Sequence, residues 1–156
     1  MPGTVHDEAQ DFIAPVRMRS AITGPLAGSF GSLTLVANAT TAQVNAGLVL
    51  LPAVTGACYR VLDWKMAARG GAAATATSVD IKDTNGTPVS VAAVAVAALT
   101  QDKVVGPGMT NVTDGVTGSM GKKLTVSQGV QIAATGTLAT ATSVDVTIEY
   151  ALEFVA

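Results

Sequence analysis

One cysteine, one histidine and three glutamates stand among 156 residues. Acid–base, thiol and metal chemistry need such side chains in groups of two to four. The sequence therefore reads as a non-enzymatic protein with no cofactor and no metal. Aromatics make up 4% of the chain and charged residues 13%. Nine Lys and Arg against eleven Asp and Glu give a net charge of −2, so no basic excess is present to neutralise a phosphate backbone, and nucleic acid is excluded as a partner. Long apolar runs are missing too: Val89 to Leu99 is the longest at 11 residues, against about 20 for a membrane-spanning helix. No membrane partner is expected. The N-terminus, MPGTVHDEAQDF, is acidic where an export signal is basic and has no apolar segment behind it, which predicts a protein made in a cytoplasm. Lone Cys58, between Ala57 and Tyr59, has no internal disulfide partner and reads as a buried, inert thiol. Glycosylation sequons at Asn38, Asn85 and Asn111 read as products of a threonine-rich composition.

What is present is small and β-branched: 27 Ala, 21 Val, 20 Thr and 16 Gly. The length suits one domain with a tail. Residues 1–30 hold His6, Asp7, Glu8, Asp11, Arg17 and Arg19 together with Pro2, Pro15 and Pro25, an unpatterned mixture that cannot bury a face. They read as an extended N-terminal arm, in which Phe12, Ile13, Val16 and Met18 suit ordering against another surface. Residues 31–156 read as strands. In the last run Val144, Val146, Ile148, Tyr150, Leu152 and Phe154 alternate with Ser143, Asp145, Thr147, Glu149, Ala151 and Glu153, which places one face in a core and one in water. Cys58 to Ala67 puts Leu62, Trp64 and Met66 on one face, with Trp64 in the core, and Tyr59, Val61, Asp63 and Lys65 on the other. Val79 and Ile81 alternate with Asp80 and Lys82 and run into Asp83-Thr84-Asn85-Gly86, a turn that predicts a hairpin into Val89 to Leu99. Shorter strands are predicted at Ser32 to Val36, Gln43 to Leu51, Lys123 to Ser127 and Val130 to Ala134. Ala92 to Ala98 is the one helical competitor. Seven or eight strands joined by turns give an all-β antiparallel sandwich or jelly roll.

Residues 71–81 and 136–146 match at an offset of 65, with Ala-Thr-Ala-Thr-Ser-Val-Asp identical. This echo predicts two strands in equivalent positions of a pseudo-symmetric sandwich, each entered from a small-residue loop. Other motifs fail. Gly115, Gly118, Gly121, Lys122 and Lys123 resemble a phosphate loop, but the spacing is broken and lysine stands where the hydroxyl belongs. A calcium loop centred on Gly86 would need carboxylates at Ile81 and Ala92. Segment Thr100 to Lys123 shows no pattern and reads as a contact loop.

Several features together resemble the small jelly-roll decoration, or cement, proteins that coat the heads of tailed bacteriophages. These are the polar arm, the strand Tyr59 to Met66 followed by Gly70-Gly71, the SVDI-turn-Asn-Gly hairpin, and the closing segment 121–154. The resemblance covers the body of the chain and includes no fingerprint motif. It implies a virion structural protein on the capsid surface, bound to the major capsid protein at subunit junctions through the arm, and self-associated as a homotrimer or, second, a dimer. Within the arm, Phe12, Ile13, Arg17 and Arg19 are the candidate partner-binding residues, because arginine pairs bidentately with carboxylates. A tail, baseplate or fibre component has the same composition. A carbohydrate-binding sandwich would need exposed aromatics, and Trp64, Tyr59 and Tyr150 all lie inside strand patterns.

Overall fold

The computed structural model describes residues 31–114 and 121–155. The arm predicted over 1–30 lies outside them, and so do its candidate residues Phe12, Ile13, Arg17 and Arg19. Among the described residues nine strands follow in order: β1 (Leu33–Thr40), β2 (Leu48–Leu51), β3 (Ala57–Arg69), β4 (Ser78–Asp83), β5 (Ser90–Ala95), β6 (Val112–Asp114), β7 (Lys122–Lys123), β8 (Val130–Thr135) and β9 (Ser143–Phe154). One short helix, α1 (Thr41–Ala46), and a 3-10 turn over Val96–Ala98 complete the list of regular elements among the described residues. Pairing is antiparallel and nested: β1 with β9, β2 with β8, β3 with β7 and β4 with β5. Sheet A runs β1-β9-β3-β7 and sheet B runs β2-β8-β4-β5-β6. A long hairpin rolled so that its paired strands alternate between two sheets produces this order, which is a jelly roll with β6 added at one edge.

The core lies between the sheets. Sheet A contributes Val61, Trp64, Met66, Ala68, Val144, Val146 and Ile148, and sheet B contributes Val79, Ile81, Val91, Val94, Val130 and Ile132, all buried. Trp64 and Ile148 are opposite one another across β3 and β9, as the period-two pattern of the closing strand requires. Asp83 is also fully buried. Its carboxylate accepts from the Val89 amide (2.9 Å), the Asn85 amide (3.2 Å), and the Thr125 amide and hydroxyl (3.2 and 2.6 Å). A desolvated carboxylate is tolerable only with donors of this number, and these tie the β4–β5 turn to the segment after β7.

The sequence echo is a structural one. Ser78 is opposite Thr135 of β8, and Ser143 is opposite Arg69 of β3, so the two copies enter different sheets in equivalent registers. Ahead of each strand the copies meet: Ala74 and Ala139 exchange two backbone hydrogen bonds, of 3.2 and 3.0 Å. Immediately after, Ala76 bonds back to Ala74 and Ala141 to Ala139, both at 2.9 Å, with Thr75 and Thr140 at φ 74° and 71° between them. Both are three-residue γ-turns of the rare, strained, positive-φ kind.

Several strand expectations need correction. Gln43 to Leu51 is not one strand: residues 41–46 form α1, because Thr40 and Gln43 make a reciprocal capping box and Gly47 ends the helix at φ 80°. The predicted Ser32 to Val36 strand runs on to Thr40. Lys123 to Ser127 shortens to Lys122–Lys123, although the Leu124 and Ser127 amides still bond to β3 carbonyls. The strand expected over Val89 to Leu99 spans only Ser90–Ala95 and gives way to the 3-10 turn. In β3 a bulge between Val61 and Asp63 shifts the register, so Tyr59 and Val61 are buried along with Trp64 and Met66, and Leu62 is only half-buried. At the end of β9, Phe154 is 53% exposed rather than in the core. Asp80 is buried, although it alternates with Val79 and Ile81, because the Ser78 and Thr135 hydroxyls donate to it at 2.7 and 2.6 Å. Part of the Thr100 to Lys123 loop is patterned: Val105 exchanges two 2.8 Å bonds with Met66, covering the free edge of β3.

Ile148→Asp buries a carboxylate beside Trp64 with no donor, and should cost about 3–5 kcal/mol, a large share of a stability of about 5–15. Thr147→Asp faces outward opposite Lys65 and should cost under about 0.5 kcal/mol. Denaturant midpoints of the two variants check this. Equal midpoints would mean that the strand is not in this register.

Candidate functional site

The antiparallel registers place side chains on the outer face of sheet A in four rows. They read Thr34, Glu149, Asp63; then Val36, Thr147, Lys65; then Asn38, Asp145, Ala67; then Thr40, Ser143, Arg69. Two shallow depressions of about 200 and 340 Å³ lie on this face. The first is lined by Asp63, Lys65, Thr147 and Glu149, the second by Val36, Val104, Arg69 and Asp145 among others. Neither is the deep apolar cleft typical of small-ligand sites.

Charges on this face are mostly paired. Arg69 bridges two carboxylates, Nε to Asp145 at 2.6 Å and Nη1 to Asp102 at 2.8 Å, and Asn38 Nδ2 reaches the other Asp145 oxygen at 2.6 Å. The Asn38 amide and the Arg69 guanidinium hold the Asp145 carboxyl below its ordinary range, and the hydrogen bonds to Asp102 and Asp145 push Arg69 up. Toward the other end of β3, Arg60 makes a bidentate pair with Glu153, and Lys123 Nζ stands 3.5 Å from the same carboxylate. Arg60, with a lesser contribution from Lys123, lowers the Glu153 carboxyl. Between these clusters Asp63 and Glu149 are directly opposite one another, and neither has an ion-pair partner within 4.0 Å among the described residues. Like charges so placed repel, and Lys65 lines the same depression.

Among the described residues, no three His, Cys, Asp or Glu side chains are grouped to hold a metal ion. Cys58 is buried. Trp64 and Tyr59 are buried as well, and the Tyr59 hydroxyl donates to the Pro52 carbonyl at 2.7 Å. Burial raises its pKa, with a smaller contribution from Tyr150, whose ring meets it edge to face at 5.6 Å. The aromatic platform that a sugar would need is therefore not at these positions. The end of the glycine-rich stretch has a structural role: Gly121 takes φ 67°, and a Cβ there would lie 2.4 Å from the Val61 carbonyl, where β7 pairs with β3.

The sequence pattern put Asp63, Lys65, Thr147 and Glu149 on outward faces, but nothing in it pairs Asp63 with Glu149. That needs the β3·β9 register, which the bulge at Leu62 sets. His6 lies outside the described residues. No protein-family model matches the chain, and no curated protein matches it.

Because the Asp145 and Glu153 carboxyls are depressed, the stability they confer is complete above the ordinary carboxylate pKa of about 4. It is lost as pH falls through the depressed values. Melting temperature should hold from pH 7 to 5 and then fall. Glu153→Gln and Asp145→Asn should each flatten that acid limb, as read by thermal melts across the pH series. An unchanged limb in both variants would show that these pairs contribute nothing to folding.

Proposed function

We propose that this protein is a non-enzymatic structural component of a virion, and in particular a decoration protein bound to the outside of a tailed-phage head. The observation that carries the reading is the combination of a jelly-roll body and an ion-pair-laced outer sheet with only shallow depressions. Such a face is built for contact with another protein surface rather than for enclosing a small substrate. A shell is stabilised by any ligand that binds its assembled form better than its free subunits, and a rigid sandwich supplies that without chemistry. In this reading the arm docks on the major capsid protein, with Phe12 and Ile13 as apolar anchors and Arg17 and Arg19 on shell carboxylates. Self-association, as a trimer or a dimer, is part of it, and the site of action is the capsid surface after synthesis in the host cytoplasm.

Removal of residues 1–30 should leave the melting temperature of the free protein within a few degrees of the full chain while abolishing attachment to heads that lack the protein. Co-sedimentation of the truncated and full-length proteins with such heads measures this. Wild-type occupancy by the truncated protein would remove the arm from the account. A particle map with density on the tail or baseplate would replace the head assignment with the closest rival reading.

A further inference from the structure

Sheet edges expose unpaired amides and carbonyls, and proteins blunt them with short strands, charges, prolines or bulges. Among the described residues, sheet A ends on β1 and β7 and sheet B on β2 and β6. β7 has two residues, β6 three and β2 four, with a register shift in β2. β1 is different. It is eight residues long, Leu-Thr-Leu-Val-Ala-Asn-Ala-Thr, with no charge and no proline, and its register against β9 is unbroken. Val36, near its middle, is 73% exposed.

The backbone direction at this edge follows from the ladder. The Thr41 amide bonds to the Thr142 carbonyl at 3.1 Å, whereas the Thr40 amide turns away from β9 to Gln43 Oε1 at 2.9 Å. In an antiparallel ladder these two states alternate, so odd-numbered residues of β1 bond to β9. The amides and carbonyls of Thr34, Val36 and Asn38 face outward from the sheet.

We propose that β1 pairs antiparallel with β1 of a second copy about a two-fold axis at Val36, joining two four-stranded sheets into one of eight strands. In this register Val36 meets Val36 at a hydrogen-bonded pair and the exposed valines cover each other on the outer face. Thr34 meets Asn38, polar with polar, while Leu35 meets Ala37 and Leu33 meets Ala39. The pairing ends before Thr41, where α1 begins. Moving the axis to Ala37 would set Val36 against Asn38 and lose that match. No like charges meet across the axis, because the strand has none. The chain's own preceding segment is the alternative occupant: in a hairpin with a two- or four-residue loop Pro25 falls opposite Asn38 or Val36, where a donor amide is required, but with a three-residue loop it falls opposite Ala37, where none is, so the 1–30 deletion separates the two. The inference stands on the strand edge alone and does not depend on the virion reading.

Sedimentation analysis of the full chain should return twice the 15.6 kDa chain mass. Val36→Lys, an exposed position that sets two ammonium groups against each other at the axis, should return the monomer mass with unchanged circular dichroism, and the 1–30 deletion should remain dimeric. Amide exchange at Thr34, Val36 and Asn38 should slow as protein concentration rises, a readout that needs no variant. A monomeric or trimeric wild type, a dimer that survives Val36→Lys, a dimer lost with residues 1–30, or concentration-independent exchange at these three amides would each overturn the proposal. A trimer would leave the virion reading in place.

Discussion

The two backbone hydrogen bonds exchanged by Ala74 and Ala139 fix the point at which the chain crosses, twice, from one sheet to the other. β3 leads to β4 and β8 leads to β9, and each connection leaves one sheet and enters the opposite one. Because the crossings pair with each other, Ser78 and Ser143 start their strands at matching heights, and the registers of β4·β8 and β3·β9 follow from that. The paired γ-turns place threonine at positive φ twice, a conformation that costs a β-branched residue about 1–3 kcal/mol and persists only where the surroundings over-determine it. Little room is available: a Cβ on Gly70 would lie 2.2 Å from the Thr142 hydroxyl, and one on Gly71 2.8 Å from the Thr140 carbonyl. The glycines at 70 and 71 are thus a packing requirement.

The two echo strands also show how one sequence is adapted to two sheets. Asp80 and Asp145 occupy equivalent positions 65 residues apart. Asp80 takes a 2.6 Å bond from the Thr135 hydroxyl and is buried, whereas Asp145 takes a 2.6 Å bond from Arg69 and remains half-buried. Sheet B therefore presents an outer surface with Ala93 and Ala133 flanking Asp80 in the ladder, while sheet A presents ion pairs and the opposed Asp63 and Glu149. The difference between the faces supports the proposal that sheet A carries the contacts. The bare edge at β1 is continuous with that same face.

Where burial alternated cleanly, the fold was legible in the sequence. Val144 to Ile148 gave β9, the Asn85-Gly86 turn gave the β4–β5 hairpin, and the echo gave the equivalence of β4 and β9. Three things were less accessible for physical reasons. The helix α1 rests on a capping box of two uncharged side chains, Thr40 and Gln43, within a stretch whose apolar spacing also suits a strand. The bulge at Leu62 changes which residues of β3 face inward, and a period-two reading carries the phase straight through it. Asp80 and Asp83 read as outward or turn residues because their donors, Thr135 and Thr125, come from strands and loops about 40 to 55 positions away. On the outer face of sheet A, individual outward residues were visible and their juxtaposition was not. The arm residues Phe12, Ile13, Arg17 and Arg19 rest on sequence alone.

The paired crossings hold the two sheets in register, and denaturant unfolding of Gly71→Ala against Gly86→Ala tests that hold. Gly71 sits in the crossing at φ 148°, where an added Cβ would lie 2.8 Å from the Thr140 carbonyl oxygen, while a Cβ on Gly86 meets nothing within 4 Å. Gly71→Ala should lose about 2 kcal/mol or more and Gly86→Ala should change by no more than about 0.5 kcal/mol. Wild-type stability in the Gly71 variant would contradict a register held at the crossings.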